Sequence, residues 1–110
     1  MIEAEHQINN IYSNDEFIKK NLNQDIRYSL YIIDNLIEMT EYDKIALHWN
    51  NVENALRKYC FHTMASIRNS AVFGLNLVIE KTPKNFVNSQ LINQWKFTLL
   101  EGIKLPQLDE

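Results

Sequence analysis

Apolar residues recur at helical spacing along almost the whole chain. In one representative stretch they follow one another at intervals of four, three and four residues, namely Ile26, Leu30, Ile33 and Ile37. These intervals place the side chains on one face of an α-helix. No stretch alternates convincingly between apolar and polar residues at period two, so the pattern does not predict strands. We therefore predict an all-α fold.

Capping residues and helix breakers divide this pattern into about five or six helices. Two short helices are expected first, one around residues 8–12 and one starting at Ser13, which precedes Glu16 by three residues as in a capping box. Asn23 is suited to cap the helix that follows. Further helices are expected at residues 24–39, 65–80 and 87–101, with Gly102 as the C′ residue of the last. Between the first two of these, another helix is expected to start between Thr40 and Asp43 and to carry apolar residues from Ile45 to Tyr59.

Two of these helices share residues at equal positions. The segment that begins Ile26-Arg27 matches the segment that begins Ile67-Arg68, 41 residues later, at Ile, Arg, Ser, Asn and Leu positions. Two-helix solenoid repeats have a period of about 40–47 residues, and each copy here follows a helix that could be its antiparallel partner. We predict repeats near residues 24–39 and 65–80 and a tail at 103–110, with a chance match as the alternative.

The second copy differs from the first because it is apolar on nearly all sides. A helix of this kind is buried between neighbours, so residues 65–80 are expected at the centre of the domain. Gly74 lies in the middle of this helix, where glycine costs about 1 kcal/mol relative to alanine. Close approach of a neighbouring helix would offset that cost, and we expect it beneath Trp49 or Trp95.

The pattern Ile67-Arg68-x-x-Ala71-x-x-Gly74-Leu75 resembles the second helix of a HEAT-like repeat, in which an aliphatic–Arg pair precedes small residues. The first copy is weaker, since large aliphatic residues replace the small ones. The resemblance implies a short antiparallel array of helical hairpins, similar to an α-solenoid, that binds proteins. In size, helical content and composition the chain is also similar to bacterial immunity proteins, including those of contact-dependent growth inhibition systems.

Composition and charge narrow the possible functions. The 110 residues are 45% apolar, which fits one domain over residues 1–110, and they include only two glycines and two prolines. So few glycines disfavour an enzyme built on glycine-rich phosphate loops. The net charge of −3 hides an asymmetry, because residues 1–55 carry −6 and residues 56–110 carry +3. This asymmetry marks either a binding face or ordinary solvated helix surfaces.

The chain is predicted to be cytoplasmic. Its single cysteine, Cys60, allows no internal disulfide, which is typical of a reducing compartment. The acidic residues 1–6 do not resemble a secretory signal, and no apolar run is long enough to span a bilayer. The sequence gives no indication of an oligomeric state.

Residue types with catalytic or metal-binding chemistry do not form a known motif. Cys60-x-His62 offers two metal ligands where a structural zinc site needs four, so we predict no metal and no cofactor. His48 lies beside Ile45 on the flank of its helix and is expected to be a core or boundary residue. A minor hypothesis is an enzyme that uses His48 or His62, and it predicts that the two side chains converge in a pocket. The main prediction is a protein without catalytic activity.

Acidic residues concentrate between positions 34 and 43 and provide the candidate site. The predicted partner-binding residues are Tyr31, Asp34, Glu38, Glu41 and Asp43. Clustered carboxylates attract basic proteins over long distances, and an exposed tyrosine can anchor a contact. The main hypothesis is an immunity protein whose acidic surface occludes the basic active site of a toxin, for example a nuclease. No nucleic-acid or membrane partner is expected.

The alternative is a small helical regulator that binds nucleic acid. It requires a continuous basic strip, because phosphate contacts need clustered Lys and Arg side chains. The residues that would form the strip are Arg57, Lys58, Arg68 and Lys84.

Overall fold

The computed structural model describes the backbone of residues 2–108 and the side chains of residues 16–108. All regular elements in this part of the chain are helical, so the predicted all-α class is confirmed. Four helices are longer than one turn, fewer than predicted. The helices are α1 (Ile2–Met39), α2 (Tyr42–Ile45), α3 (Trp49–Tyr59), α4 (Ala65–Lys81) and α5 (Ser89–Gly102), with 3₁₀ turns at Ala46–His48 and Lys84–Phe86.

Helix α1 is continuous, and the prediction of two short helices before residue 23 is wrong. Ser13 and Asn23 lie inside the helix instead of at its start. The physical reason is that a capping residue permits a helix start without enforcing one. Asparagine and serine cost only about 0.7 kcal/mol or less in a helix interior, and no glycine or proline interrupts residues 2–39. The apolar pattern expected over residues 8–12 lies outside the described side chains.

Helix α4 lies at the centre, as predicted from its apolar surface. It contacts α1 on one side and α3 on the other. The buried side chains of α4 form one core cluster with buried side chains of α1, α3 and α5. The main members of this core are Leu30 and Ile37 of α1, Leu56 of α3, Ile67, Ala71, Leu75 and Val78 of α4, and Trp95 of α5.

Side-chain contacts fix the direction of α4 relative to its two neighbours. Helices α3 and α4 are antiparallel, because Trp49 Nε1 at the start of α3 donates to Thr82 Oγ1, 3.0 Å away and just after the end of α4. Helices α1 and α4 are parallel. Asp34 of α1 contacts Ser70 in the first half of α4, and the end of α1 contacts Lys81 at the end of α4.

Helix α5 packs beside α3 in the same direction. Trp95 Nε1 donates to Glu53 Oε1 in the middle of α3 at 3.1 Å. Seven residues further along in both segments, the carbonyl oxygen of Cys60 lies 3.2 Å from the place of a β-carbon on Gly102. The rings of Phe61 and Phe97 lie 6.3 Å apart. The domain therefore contains two parallel pairs, α1 with α4 and α3 with α5, and the α3–α4 hairpin connects them.

The segment after α5 is attached to the domain. The backbone N–H of Ala65 donates to the carbonyl of Leu108 at 2.9 Å, and Arg68 donates to the carbonyl of Pro106. The predicted tail is thus an ordered segment as far as residue 108, and the last two residues lie outside the described part of the chain. Gly102 is the last residue of α5, the C-cap is Ile103, and Gly102 has no positive φ, so its prediction as the C′ residue after this helix is wrong. A β-carbon there would lie 3.2 Å from the Cys60 carbonyl oxygen.

Among the described residues, none of the helices combines the length and the hydrophobicity that crossing a membrane requires.

Candidate partner-binding surface

Four of the five predicted partner-binding residues are exposed. Tyr31 is 68% exposed on α1, and Glu38, Glu41 and Asp43 are exposed around the end of α1 and the start of α2. The three acidic residues follow one another within six positions of the chain. The structure therefore brings most of the predicted set to one region of the surface.

Asp34 is the exception, and its prediction as a surface residue is wrong. It is only 6% exposed and lies between α1 and α4. The reason is its helical position, because Asp34 is four residues after Leu30 and three residues before Ile37, both of which are in the core. This spacing was visible in the sequence, but the charge of the side chain favoured an exposed position. Asp34 cannot belong to the acidic surface.

Burial changes the acid–base properties of Asp34. Ser70 Oγ donates to Asp34 Oδ2 at 3.0 Å, whereas Oδ1 is buried without a hydrogen-bond partner. Desolvation raises the pKa of Asp34 from 3.8 to about 6, and the hydrogen bond from Ser70 opposes this rise. Half of these carboxyl groups are therefore protonated near pH 6, and the charge is shielded from an approaching partner.

Gly74 makes room for this carboxyl group. A β-carbon on residue 74 would overlap Asp34 Oδ1 and would lie 2.8 Å from Leu56 Cδ2. Close approach of a neighbouring helix at Gly74 was predicted and is found, but the neighbours are Asp34 and Leu56. The prediction that Trp49 or Trp95 fills this place is wrong.

Lys81 holds the chain at the end of α1, where the acidic residues begin. Its ammonium group donates to the carbonyls of Glu38 at 2.8 Å and Thr40 at 3.1 Å, and also to the carbonyl of Ile37. These carbonyls lack partners within the helix, and a cation suits the negative end of the helix dipole. Lys81 was not a candidate in the sequence, because only the fold brings it to α1 from 41 or more positions away.

An aromatic anchor fixes the short helix α2. The half-buried ring of Tyr42 contacts the ring of Trp49 edge-to-face, with ring centroids 4.9 Å apart. The ring centroid of Phe86 lies 6.2 Å from that of Tyr42. Edge-to-face pairs of this kind contribute about 0.5–1.5 kcal/mol beyond area burial. Because Tyr42 is anchored, its exposed sequence neighbours Glu41 and Asp43 are held on the outside of the domain.

The resulting surface carries a negative charge. Three carboxylates at positions 38, 41 and 43 are accompanied by one exposed ammonium group, that of Lys44. The charge of Lys81 is directed at backbone carbonyls, since the hydrogen bonds described for it all go to carbonyl oxygens. We call Tyr31, Glu38, Glu41 and Asp43 the acidic surface.

The basic strip expected for nucleic-acid binding is interrupted. Arg68 is buried, and its guanidinium donates to the carbonyls of His62 at 2.7 Å and Thr63 at 3.1 Å. Arg57 is half-buried and donates to Glu53 Oε2 on its own helix at 3.2 Å. Of the four predicted residues, only Lys58 and Lys84 are exposed.

The histidines with described side chains do not converge. His48 and His62 flank opposite ends of α3, which is about 16 Å long from its eleven residues. His48 is exposed, so its prediction as a core or boundary residue is wrong. His62 Nδ1 accepts from the backbone N–H of Met64 at 3.0 Å. The pocket that a histidine enzyme would require is not formed by these two residues.

Cys60 is fully buried, and desolvation raises the pKa of its thiol to about 11. A thiol in this state is a weak nucleophile at neutral pH, because only the thiolate reacts. Within the described residues, no three side chains of His, Cys, Asp or Glu come together in a way that could hold a metal ion.

Comparison of the chain with protein-family models, with curated proteins and with solved structures finds no match.

Proposed function

We propose that this protein is a non-enzymatic protein-binding module with a HEAT-like arrangement of helices. The α3–α4 hairpin and the parallel packing of the two matching segments support this proposal. The antiparallel partner helix expected before the first segment is not formed, because α1 is continuous from Ile2 to Met39. The matching segments lie on α1 and α4, which pack in parallel, and the intervening α3 is antiparallel to α4. Equivalent helices of successive repeats are expected to stack in this way in a solenoid.

The proposed role is that of an immunity protein in a bacterial cytoplasm. The observation that carries the proposal is the acidic surface, in which exposed Tyr31 accompanies the carboxylates of Glu38, Glu41 and Asp43. The partner would be a toxin with a basic active-site cleft, for example a nuclease. The carboxylates would occupy the positions of substrate phosphates, and the bound domain would block access to the cleft. This mechanism needs no cofactor and no catalytic group.

Electrostatic steering gives the proposal a measurable signature. Association between an acidic surface and a basic cleft is fast at low salt and slows as the ionic strength rises. Tyrosine adds contact area with little loss of side-chain entropy, so Tyr31 would contribute mainly to the dissociation rate. The two kinds of residue should therefore affect different rate constants.

The experiment is affinity capture from the source cells with immobilised protein, followed by assay of the captured protein. The test variant combines Glu38→Lys and Glu41→Lys, and the matched control is Glu80→Lys on α4, which is also exposed. We expect the native chain and the control to capture a toxin, in amounts that fall with salt, and the test variant to lose it.

The captured protein is then incubated with plasmid DNA in the presence and absence of the native chain. Cleavage that stops on addition of the native chain would support the nuclease assignment. Equal capture by the native chain and the test variant, with the same salt dependence, would contradict the acidic surface as the binding site.

A further inference from the structure

Helix α1 carries a second apolar stripe that the domain core does not use. Its members Ile18, Leu22, Ile32 and Leu36 are 62%, 57%, 57% and 53% exposed. Asp25 and Ser29 lie between Leu22 and Ile32 on the same stripe. The six residues from Ile18 to Leu36 then follow one another at alternating intervals of four and three residues. Alternation of this kind is the repeat of a helix that packs along another helix.

The stripe is separate from the side of α1 that packs into the core and from the acidic surface. The core side of α1 is marked by Leu30, Asp34 and Ile37, which are buried. Each residue advances about 100° around a helix, so Ile32 and Leu36 point roughly away from this side. Tyr31 and Glu38 of the acidic surface lie on the other flank of α1. A partner could therefore cover the stripe without touching the acidic surface.

The spacing of the stripe and its order of apolar and polar positions, two apolar, two polar and two apolar, are the same when read from either end. We propose that this protein forms a two-fold symmetric dimer in which the α1 helices of two copies pack antiparallel along this stripe. Ile18 of one copy then faces Leu36 of the second, and Leu22 faces Ile32. Between them, Asp25 of one copy faces Ser29 of the second, so a hydroxyl group can donate to each carboxylate.

The two polar residues in the middle of the stripe, Asp25 and Ser29, favour an antiparallel second copy in this register. In a parallel pair in register, Asp25 would face Asp25 of the second copy, and like charges facing one another are destabilising. In an antiparallel pair shifted by seven residues in either direction, Asp25 would face Leu22 or Leu36 and would be buried against an apolar side chain. Of these arrangements, only the proposed antiparallel register matches apolar with apolar and polar with polar along residues 18–36 without placing two carboxylates opposite each other.

The geometry also gives the dimer a closed form. Two identical patches that contact each other through a two-fold axis leave no further copy of the stripe to bind, so assembly stops at two chains. The contact runs for about 28 Å along α1, from 19 residues at 1.5 Å each. The proposal does not depend on the immunity role, because it uses a different side of the helix.

Sedimentation velocity over a range of concentrations tests the association. The native chain should sediment as a species of twice 13.0 kDa, and dilution should convert it to monomer. Ile32→Lys places a charge in the stripe and should yield monomer at all concentrations. The matched control is Leu47→Lys, which replaces an apolar side chain that is 89% exposed outside α1, and it should remain dimeric. Circular dichroism verifies that both variants keep their helices.

Cysteine cross-linking tests the register. When Ile18→Cys and Leu36→Cys variants are mixed and oxidised, a disulfide-linked heterodimer should form, whereas either variant alone should give little cross-linked product. Native Cys60 is buried and should not take part. A monomeric native chain, an Ile32→Lys variant that still dimerises, or efficient cross-linking of Ile18→Cys to itself would overturn the proposal.

Discussion

Asp34 Oδ1 occupies the space that a β-carbon on residue 74 would need. The carboxyl group of α1 can enter the interface with α4 because glycine leaves this space open. Ser70, one helical turn before Gly74, donates a hydrogen bond to the other carboxylate oxygen. A buried carboxyl group is unfavourable on its own, and so is a glycine inside a helix. Here Gly74 provides the space that Asp34 occupies.

Gly74→Ala should destabilise the fold, although alanine is the better helix former by about 1 kcal/mol. The new methyl group would collide with the Asp34 carboxyl group and would crowd Leu56, so either these buried side chains or one of the helices has to move. Overpacking of this kind costs about 1–3 kcal/mol, and we expect a lower midpoint in urea with an unchanged slope.

The cause can be separated from general crowding by a double-mutant cycle with Asp34→Ala. Removal of the carboxyl group should restore much of the stability lost by Gly74→Ala, so the two effects should not add. Strictly additive effects would show that Asp34 is not the group with which the methyl collides.

Stability should depend on the ionisation of Asp34. The pKa of Asp34 is about 6 in the folded state and 3.8 without burial, so the folded protein binds more protons between these values. The contribution of Asp34 to stability is therefore most favourable below about pH 4 and is lost as the pH rises to about 6, by up to about 3 kcal/mol at 1.36 kcal/mol per pKa unit.

The clean measurement is the difference between the native chain and Asp34→Asn, because other carboxyl groups titrate in both. The two should be similarly stable at pH 4, and the asparagine variant should be more stable at pH 7. A difference that does not change with pH would show that the pKa of Asp34 is not raised.

These relationships indicate how far the sequence could lead. Helical periodicity predicted the class and the central position of α4, because both depend on which residues are apolar. It did not predict the unbroken α1, since Ser13 and Asn23 are compatible with both a helix start and a helix interior. It also misplaced Asp34, because the charge outweighed a spacing that the core required.

Contacts between segments that are distant in the chain could not be predicted from the sequence. Tyr31, Glu38, Glu41 and Asp43 were predicted as a surface, yet the group that holds its backbone, Lys81, comes from the end of another helix. Charge alone suggested Arg68 as a surface residue. In the structure it is buried among carbonyl groups, and no local pattern distinguishes these two environments.

Lys81→Met should destabilise the end of α1. The methionine keeps the aliphatic stem but removes the donor, so the carbonyls of Glu38 and Thr40 lose a charged partner. Hydrogen bonds to charged groups contribute about 1.5–3 kcal/mol, and we expect a loss of that order in urea unfolding. The matched control is Lys84→Met, at an exposed lysine close by, which should change the stability by less than about 0.5 kcal/mol. Equal effects of the two variants would contradict the capping role.

Arg68→Met should detach the segment that follows α5. The buried guanidinium joins the carbonyls of His62 and Thr63 to that of Pro106, so its removal takes the charged donor away from three partly buried acceptors and breaks the link between the two segments. The nearest independent reporter is the backbone N–H of Ala65, which donates to the carbonyl of Leu108. Its hydrogen exchange should accelerate far more than that of amide groups in the middle of α4.

The control for this measurement is Lys104→Met in the same segment, because Lys104 is exposed and its ammonium group pairs with the nearby Glu101 at 2.9 Å. Exchange at the Ala65 amide should then stay slow, since exposed pairs of this kind contribute about 1 kcal/mol or less. If Arg68→Met accelerated exchange equally at all amides of α4, the arginine would act through global stability, and the specific attachment of the segment would be refuted.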